Sequence, residues 1–188
     1  MQSGRYTVRG TLRDLNDPKK ISSVKKAVGK YFDQLELVQA ELSDEISIIK
    51  ACSGAYYIVH TAAPSTVSVR QDFETPCLGG TLSILKAATI NKIKRLVITS
   101  SCSAVFAKNP IKDFYTPEDW SDLNNTFENG YGSAKTKAEK AAFDYVEKLP
   151  AEKKFEIVSI CPSYTFGPAI NDQPYEINEL IVKKILLN

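Results

Sequence analysis

Ala55-Tyr56-Tyr57-Ile58-Val59-His60-Thr61 is the stretch that decides the fold. It is a nearly continuous apolar run, short and rich in β-formers, and is predicted to be a strand. Such a strand is apolar at successive rather than alternate positions when both of its faces are covered, as in parallel sheets sandwiched by helices. Leu96-Val97-Ile98-Thr99 repeats the pattern. Working outward, Ser43 is the expected N-cap of a short helix ending near Cys52, with Gly54 as its stop. Leu35-Glu36-Leu37-Val38 is a short strand before it. Pro18 opens a helical stretch to about Tyr31, since proline suits a first helical turn. Tyr6 to Leu12 alternates like a strand. Downstream, Gln71 to Asn91 is predicted helical, with irregularity at Pro76 and Gly79-Gly80. A loop of roughly thirty residues follows Thr99, a length that usually has a function. Gly132 to Leu149 is a helix stopped by Pro150, Phe155 to Cys161 a strand stopped by Pro162, and Glu176 to Leu187 an amphipathic helix.

Strands alternating with helices imply βαβ units and one open, doubly wound parallel sheet of the α/β class. Ligands of such sheets bind at the carboxyl ends of the strands. The bulk numbers narrow the function classes. The 188 residues are 43% hydrophobic and 24% charged, with a net charge of +2. That is ordinary for a soluble domain and too weakly basic to argue for nucleic acid or an anionic membrane. No apolar run approaches the ~20 residues of a spanning helix, and the first residues lack a signal-peptide core. Cys52, Cys77, Cys102 and Cys161 are scattered without a CxxC pair, which favours a reduced, cytoplasmic protein. One histidine and no cysteine pair argue against zinc.

Three places carry chemistry. In Tyr131-Gly132-Ser133-Ala134-Lys135, the tyrosine and lysine share one helix face. A nearby ammonium favours the phenolate and so tunes Tyr131 to hand a proton to a carbonyl oxygen. Alone, the pattern is more often a solvated pair on a helix surface. Thr99-Ser100-Ser101-Cys102-Ser103 puts hydroxyls at a strand end, where a serine can steady charge developing on a substrate oxygen; the ordinary alternative is a turn whose hydroxyls satisfy backbone groups. Thr11-Leu12-Arg13, with Lys19-Lys20 nearby, ends a strand in basic charge. An acidic residue there suits NAD and a basic one the extra phosphate of NADP, so NADP is favoured over NAD. His60, on an apolar strand, is expected to be a packed core imidazole.

These segments, in this order, resemble extended short-chain dehydrogenases/reductases of the NAD-dependent epimerase/dehydratase superfamily, close to dihydroflavonol and cinnamoyl-CoA reductases. Val8 to Asp14 with Asn16 to Lys20 resembles their second strand. Leu37-Val38-Gln39-Ala40-Glu41-Leu42 is similar to the adenine-contacting segment, with Glu41 where Asp is usual. Val59 to Pro64 resembles the loop passing under the cofactor, Asp119-Trp120-Ser121-Asp122 a loop typical of the reductase branch, Tyr131 to Ala142 the catalytic helix, and Pro162 to Pro168 the segment meeting the nicotinamide. The resemblance implies Ser101, Tyr131 and Lys135 as the catalytic set, with Ser103 as a second candidate for the serine. It implies that Arg13, Lys20, Glu41, Leu42, Thr61, Ala62, Ala63, Tyr131, Lys135, Pro162 and Thr165 face NADP. A carbonyl substrate, an aldehyde or ketone, would be reduced to an alcohol. Residues 1–168 would form a partial Rossmann domain and 169–188 the start of a substrate-binding region. The family's first strand and glycine-rich turn are not in this sequence, so the chain is expected to be weakly active or inactive by itself. A sugar-nucleotide epimerase or dehydratase shares the Ser/Tyr/Lys set, and a non-catalytic binding remnant is the alternative outside enzymes.

Overall fold

The structure, a computed structural model, describes residues 4–63, 72–106, 111–123 and 130–165. The expected helix over Glu176–Leu187 lies outside them. The chain divides into two compact units, one carrying residues 1–41 and 165–188 and the other residues 42–164.

In the first unit, β1 (Val8–Leu12) and β2 (Leu35–Gln39) pair in parallel, Val8 opposite Leu35 and Leu12 opposite Gln39. Arg9 and Glu36 face each other across the ladder and pair at 2.8 Å. α1 (Pro18–Val28) makes the crossover. Its start is set by Asp17, whose Oδ1 accepts from the N–H groups of Lys19 and Lys20, while Pro18 has no N–H to satisfy. The helix stops earlier than Tyr31. Gly29 takes a φ of 57° and the chain tightens into a 3-10 turn over Gly29–Gln34.

In the second unit, α2 (Glu45–Ala51) is capped by Asp44 rather than Ser43, because the Asp44 carboxylate reaches the N–H groups of Ile46 and Ser47. β3 (Tyr57–His60), β4 (Arg95–Thr99) and β5 (Glu156–Ile160) form a parallel sheet in that order. α3 (Glu74–Ile90) runs through Pro76 and Gly79-Gly80 without interruption. Pro76 falls in its first turn, where no intrahelical N–H is needed. Gly80 is where Leu42 seats: a Cβ there would stand 3.2 Å from Leu42 Cδ1. α4 (Tyr131–Glu147) packs on α3, and Phe73 and Cys77 meet Ala134 and Ala138 in one apolar cluster. The alanines let the two helices approach closely. Leu85 and Leu96 are fully buried.

The described strands form two parallel sheets, β1-β2 and β3-β4-β5, as expected of an incomplete Rossmann-like sheet. In each sheet the strands run parallel and are joined through helices, as in doubly wound folds. The fold is thus a Rossmann-like parallel α/β arrangement, in part. The expectation that β3 is covered on both faces fails among the described residues. Val59 is 67% exposed and lies in register with Val97, opposite which stands the half-exposed Val158.

Candidate functional site

The carboxyl end of β4 organises the chemistry. After Thr99 the chain holds to β5: the Ser100 N–H donates to the Ile160 carbonyl at 2.8 Å and the Cys102 N–H to the Pro162 carbonyl at 2.9 Å. Ser101 then caps a 3-10 turn over Cys102–Ala104, its Oγ accepting from the Ser103 N–H at 3.1 Å. The turn-forming alternative for the strand-end hydroxyls is therefore realised in Ser101. Its hydroxyl proton is not used in that bond. Ser101 and Ser103 are both buried.

α4 is brought to this turn by two glycines. Gly130 takes a φ of 85°, a left-handed conformation costly for other residues, so that the helix begins at Tyr131. Gly132 is buried, and a Cβ there would meet the Ser103 carbonyl oxygen at 3.4 Å and Ser103 Cβ at 3.6 Å. The long loop is fastened at the same place. Ser121 donates from its N–H to the Ala104 carbonyl at 2.9 Å and from its Oγ to the Ser103 carbonyl at 2.7 Å. Asp119, 6% exposed, accepts from Lys112 Nζ and from the Thr116 N–H at 3.0 Å, and Lys140 Nζ lies 5.0 Å from the Trp120 ring centre.

Tyr131 stands edge-on to Phe73, ring centres 5.9 Å apart, and Lys135 Nζ lies 5.9 Å from the centre of the Tyr131 ring. Lys135 is 7% exposed and donates to the Thr99 carbonyl at 3.1 Å. Burial pushes its pKa below the usual lysine value, opposed by Cys77, Glu139 and Cys161. One acceptor serves one of three ammonium protons. Among the described residues no second acceptor reaches this Nζ, so a buried donor is left with capacity to spare. A cavity of about 20 Å³, room for about one water, opens beside it. Its lining includes His60, Ala62, Ala63, Thr99 and Lys135. His60 is thus a cavity wall rather than a fully packed core group; desolvation first, and then the Lys135 charge, lower its pKa to about 4.

Of the expected cofactor residues, Ala62 and Ala63 line this cavity and Thr61 is exposed beside them. Leu42 turns its side chain to Gly80, and Pro162 gives its carbonyl to the serine turn. Arg13, Lys20, Glu41 and Thr165 belong to the other unit. Arg13 and Lys20 are exposed there, and among the described residues neither makes an ion pair. Glu139 was not among the expected site residues, and Ser100 entered only as one of the strand-end hydroxyls. Glu139 is 6% exposed and accepts from Ser100 Oγ and, at 3.6 Å, from Cys161 Sγ. Its signal was present in the spacing, since residues 131, 135 and 139 share a helix face.

Known proteins resemble this chain over most of its length. The chain is 36% identical over 171 residues to cinnamoyl-CoA reductase 1 of Arabidopsis thaliana, covering 88% of this chain and 47% of that protein. It is 34% identical over 180 residues to dihydroflavonol 4-reductase of the same plant, covering 88% and 44%. The chain thus spans about half the length of the relatives it matches. The crystal structure of the yeast methylglyoxal/isovaleraldehyde reductase Gre2 with NADPH superposes at a TM-score of 0.73 and 26% identity, over 89% of this chain and 54% of Gre2. Residues 9–186 match a single family description, and on that match the chain belongs to the 3-beta hydroxysteroid dehydrogenase/isomerase family.

Proposed function

We propose that this chain carries the proton-transfer side of an NADP(H)-dependent reductase that converts a small-molecule aldehyde or ketone to an alcohol. The observation behind this reading is the buried Lys135 ammonium, held by the Thr99 carbonyl under the Tyr131 ring with donor capacity unspent. Such a donor fits the hydroxyls of a nicotinamide ribose, and the small side chains of Ala62 and Ala63 leave the approach open. When bound, NADPH supplies the hydride. Tyr131 gives the proton to the carbonyl oxygen, and Lys135 favours its phenolate. Ser101 donates its hydroxyl proton to the same oxygen. Arg13 and Lys20 pair with the 2′-phosphate.

We also propose that the 188-residue chain turns over slowly by itself. The support is the division of its strands between two sheets and the lack, among the described residues, of a glycine-rich turn out of a strand that could present N–H groups to the pyrophosphate. The test compares this chain with a version extended ahead of β1 by such a strand and turn. NADPH fluorescence should report tighter binding by the extended protein, which should also oxidise NADPH with aldehydes or ketones. In that protein Tyr131→Phe should abolish turnover while leaving NADPH affinity within about twofold. Lys135→Ala, which removes a charged hydrogen bond worth ~1.5–3 kcal/mol, should weaken NADPH by roughly tenfold or more. Unchanged affinity in Lys135→Ala would refute the proposed ribose contact.

A further inference from the structure

We infer that Glu139 is the positioning residue of this site, fixing Lys135 and the strand-end turn at Ser100 with respect to one another. The inference builds on the reading of Lys135 given above but concerns a residue that reading does not use. Three observations carry it. Glu139 lies one helical turn beyond Lys135 on α4, as Lys135 lies one turn beyond Tyr131, so the three form a stripe running inward from the helix start. Its carboxylate is buried and lines the cavity together with Ser100 and Lys135. Its donors come from two strand ends, Ser100 Oγ after β4 and Cys161 Sγ after β5.

A buried carboxylate is costly unless it is hydrogen-bonded and its charge is balanced. Both donors to Glu139 are neutral groups. Titratable groups around the cavity include His60 at the end of β3, Cys77 on α3, Cys161 after β5 and Lys135 and Tyr131 on α4, with Asp72, whose charge reaches Cys77, just before α3. Burial holds both thiols in their protonated form, and His60 is neutral near pH 7. Lys135 is the cation of this set, and Glu139 is among the charges that favour its ammonium. Lys135 Nζ bonds the Thr99 carbonyl and not the carboxylate, so the ammonium stays aimed at the strand end while the carboxylate holds the adjacent Ser100.

The expected signature is electrostatic as well as structural. Glu139→Gln keeps an oxygen that can accept from Ser100 but removes the charge. The ¹³Cε and ¹⁵Nζ shifts of Lys135, in lysine-labelled protein and assigned by loss of the signal in Lys135→Arg, report its titration without any ligand. In Glu139→Gln the Lys135 midpoint should fall by about one pH unit, the low end of what a nearby opposite charge does. Glu139→Asp keeps the charge but withdraws it by one methylene, and should shift the midpoint less in the same direction. It also serves if Glu139→Gln fails to fold. A Lys135 midpoint unchanged in both variants, or in Glu139→Asp alone if only that one folds, would overturn the inference and leave Glu139 a structural hydrogen-bond acceptor. NADPH titrations at each pH separate this from the reading beneath it. If the Lys135 midpoint shifts as expected while NADPH binding does not follow it, Glu139 still positions Lys135 and the nucleotide reading is what fails.

Discussion

His60 makes an acid-sensitive probe of the cavity. Its pKa is lowered from 6.5 to about 4, first by desolvation and then by the Lys135 charge. In the unfolded chain the imidazole gains a proton near pH 6.5, while in the folded protein it stays neutral down to about pH 4. Between these values the unfolded state binds more protons, so this stabilising contribution is fully present above pH 6.5 and is lost as the pH falls through the folded pKa. The gap from 6.5 to about 4, at ~1.36 kcal/mol per pH unit, is worth about 3 kcal/mol. The ring keeps some contact with water, so ~2–3 kcal/mol is the working figure, still a large share of a net stability of ~5–15 kcal/mol. The chain has one histidine, so a single imidazole resonance can be followed by NMR without assignment. Urea unfolding of the natural protein and of His60→Gln at pH 7, 5.5 and 4 should show the natural protein losing ~2–3 kcal/mol more than the variant over that span. Carboxylates titrate in the same range, but they do so in both proteins and drop out of the difference. In Lys135→Met the imidazole midpoint should rise while staying below 6.5, because the smaller of its two causes has been removed. An NMR midpoint at 6.5 in the folded protein, or a His60→Gln difference flat with pH, would refute this account of the cavity.

Changes at three other positions test separate parts of the structure. Gly132→Ala should cost little, since its Cβ meets Ser103 at 3.4–3.6 Å, whereas Gly132→Val should cost ~1–3 kcal/mol by pushing the serine turn away, read by thermal melts; equal melting of the two variants would show that Ser103 does not confine this position. Asp119→Ala strips the Thr116 N–H of its acceptor and should cost ~1–3 kcal/mol, with faster hydrogen exchange at Thr116; unchanged exchange would mean the loop is held elsewhere. Arg13→Asp should reverse or erase a preference for NADPH over NADH in the extended protein, and a preserved preference would place the phosphate site elsewhere.

Much of the fold was legible because strand and helix periods are local. Apolar runs such as Leu96–Thr99 and the proline at Pro18 announce themselves. The errors fall where tertiary context decides. Pro76 and Gly79-Gly80 suggested irregularity, but the first sits in a helix's opening turn and Gly80 receives Leu42. Ser43 and Asp44 are both good caps, and which one aligns with the free N–H groups is a matter of backbone geometry. Alternation says nothing about which strands share a ladder; that the sheet would be incomplete was legible only through the resemblance to a family whose first strand this sequence lacks. Tyr131 and Lys135 were visible through their spacing. Glu139 was hidden because a glutamate on a Lys- and Glu-rich helix reads as solvated; its burial depends on Ser100 and Cys161, both remote in sequence.

That contrast explains why the motif and the site are different statements. The spacing of Tyr131, Lys135 and Glu139 concerns one helix, and any helix of that sequence would display it. What makes the spacing useful is the helix's position against β4. Gly130 lets α4 begin at Tyr131, and Gly132 lets its first turn lie against Ser103. The Lys135 ammonium then falls on the Thr99 carbonyl, and the Glu139 carboxylate falls on Ser100. Each of these contacts crosses from α4 to the strand-end segment 99–103. A substitution at Gly132 can therefore disturb Lys135 and Glu139 without touching either, by moving the turn their partners lead into. Loss of the Lys135 midpoint shift in Gly132→Val, with the helix intact by circular dichroism, would be the sign that position and not spacing carries the chemistry.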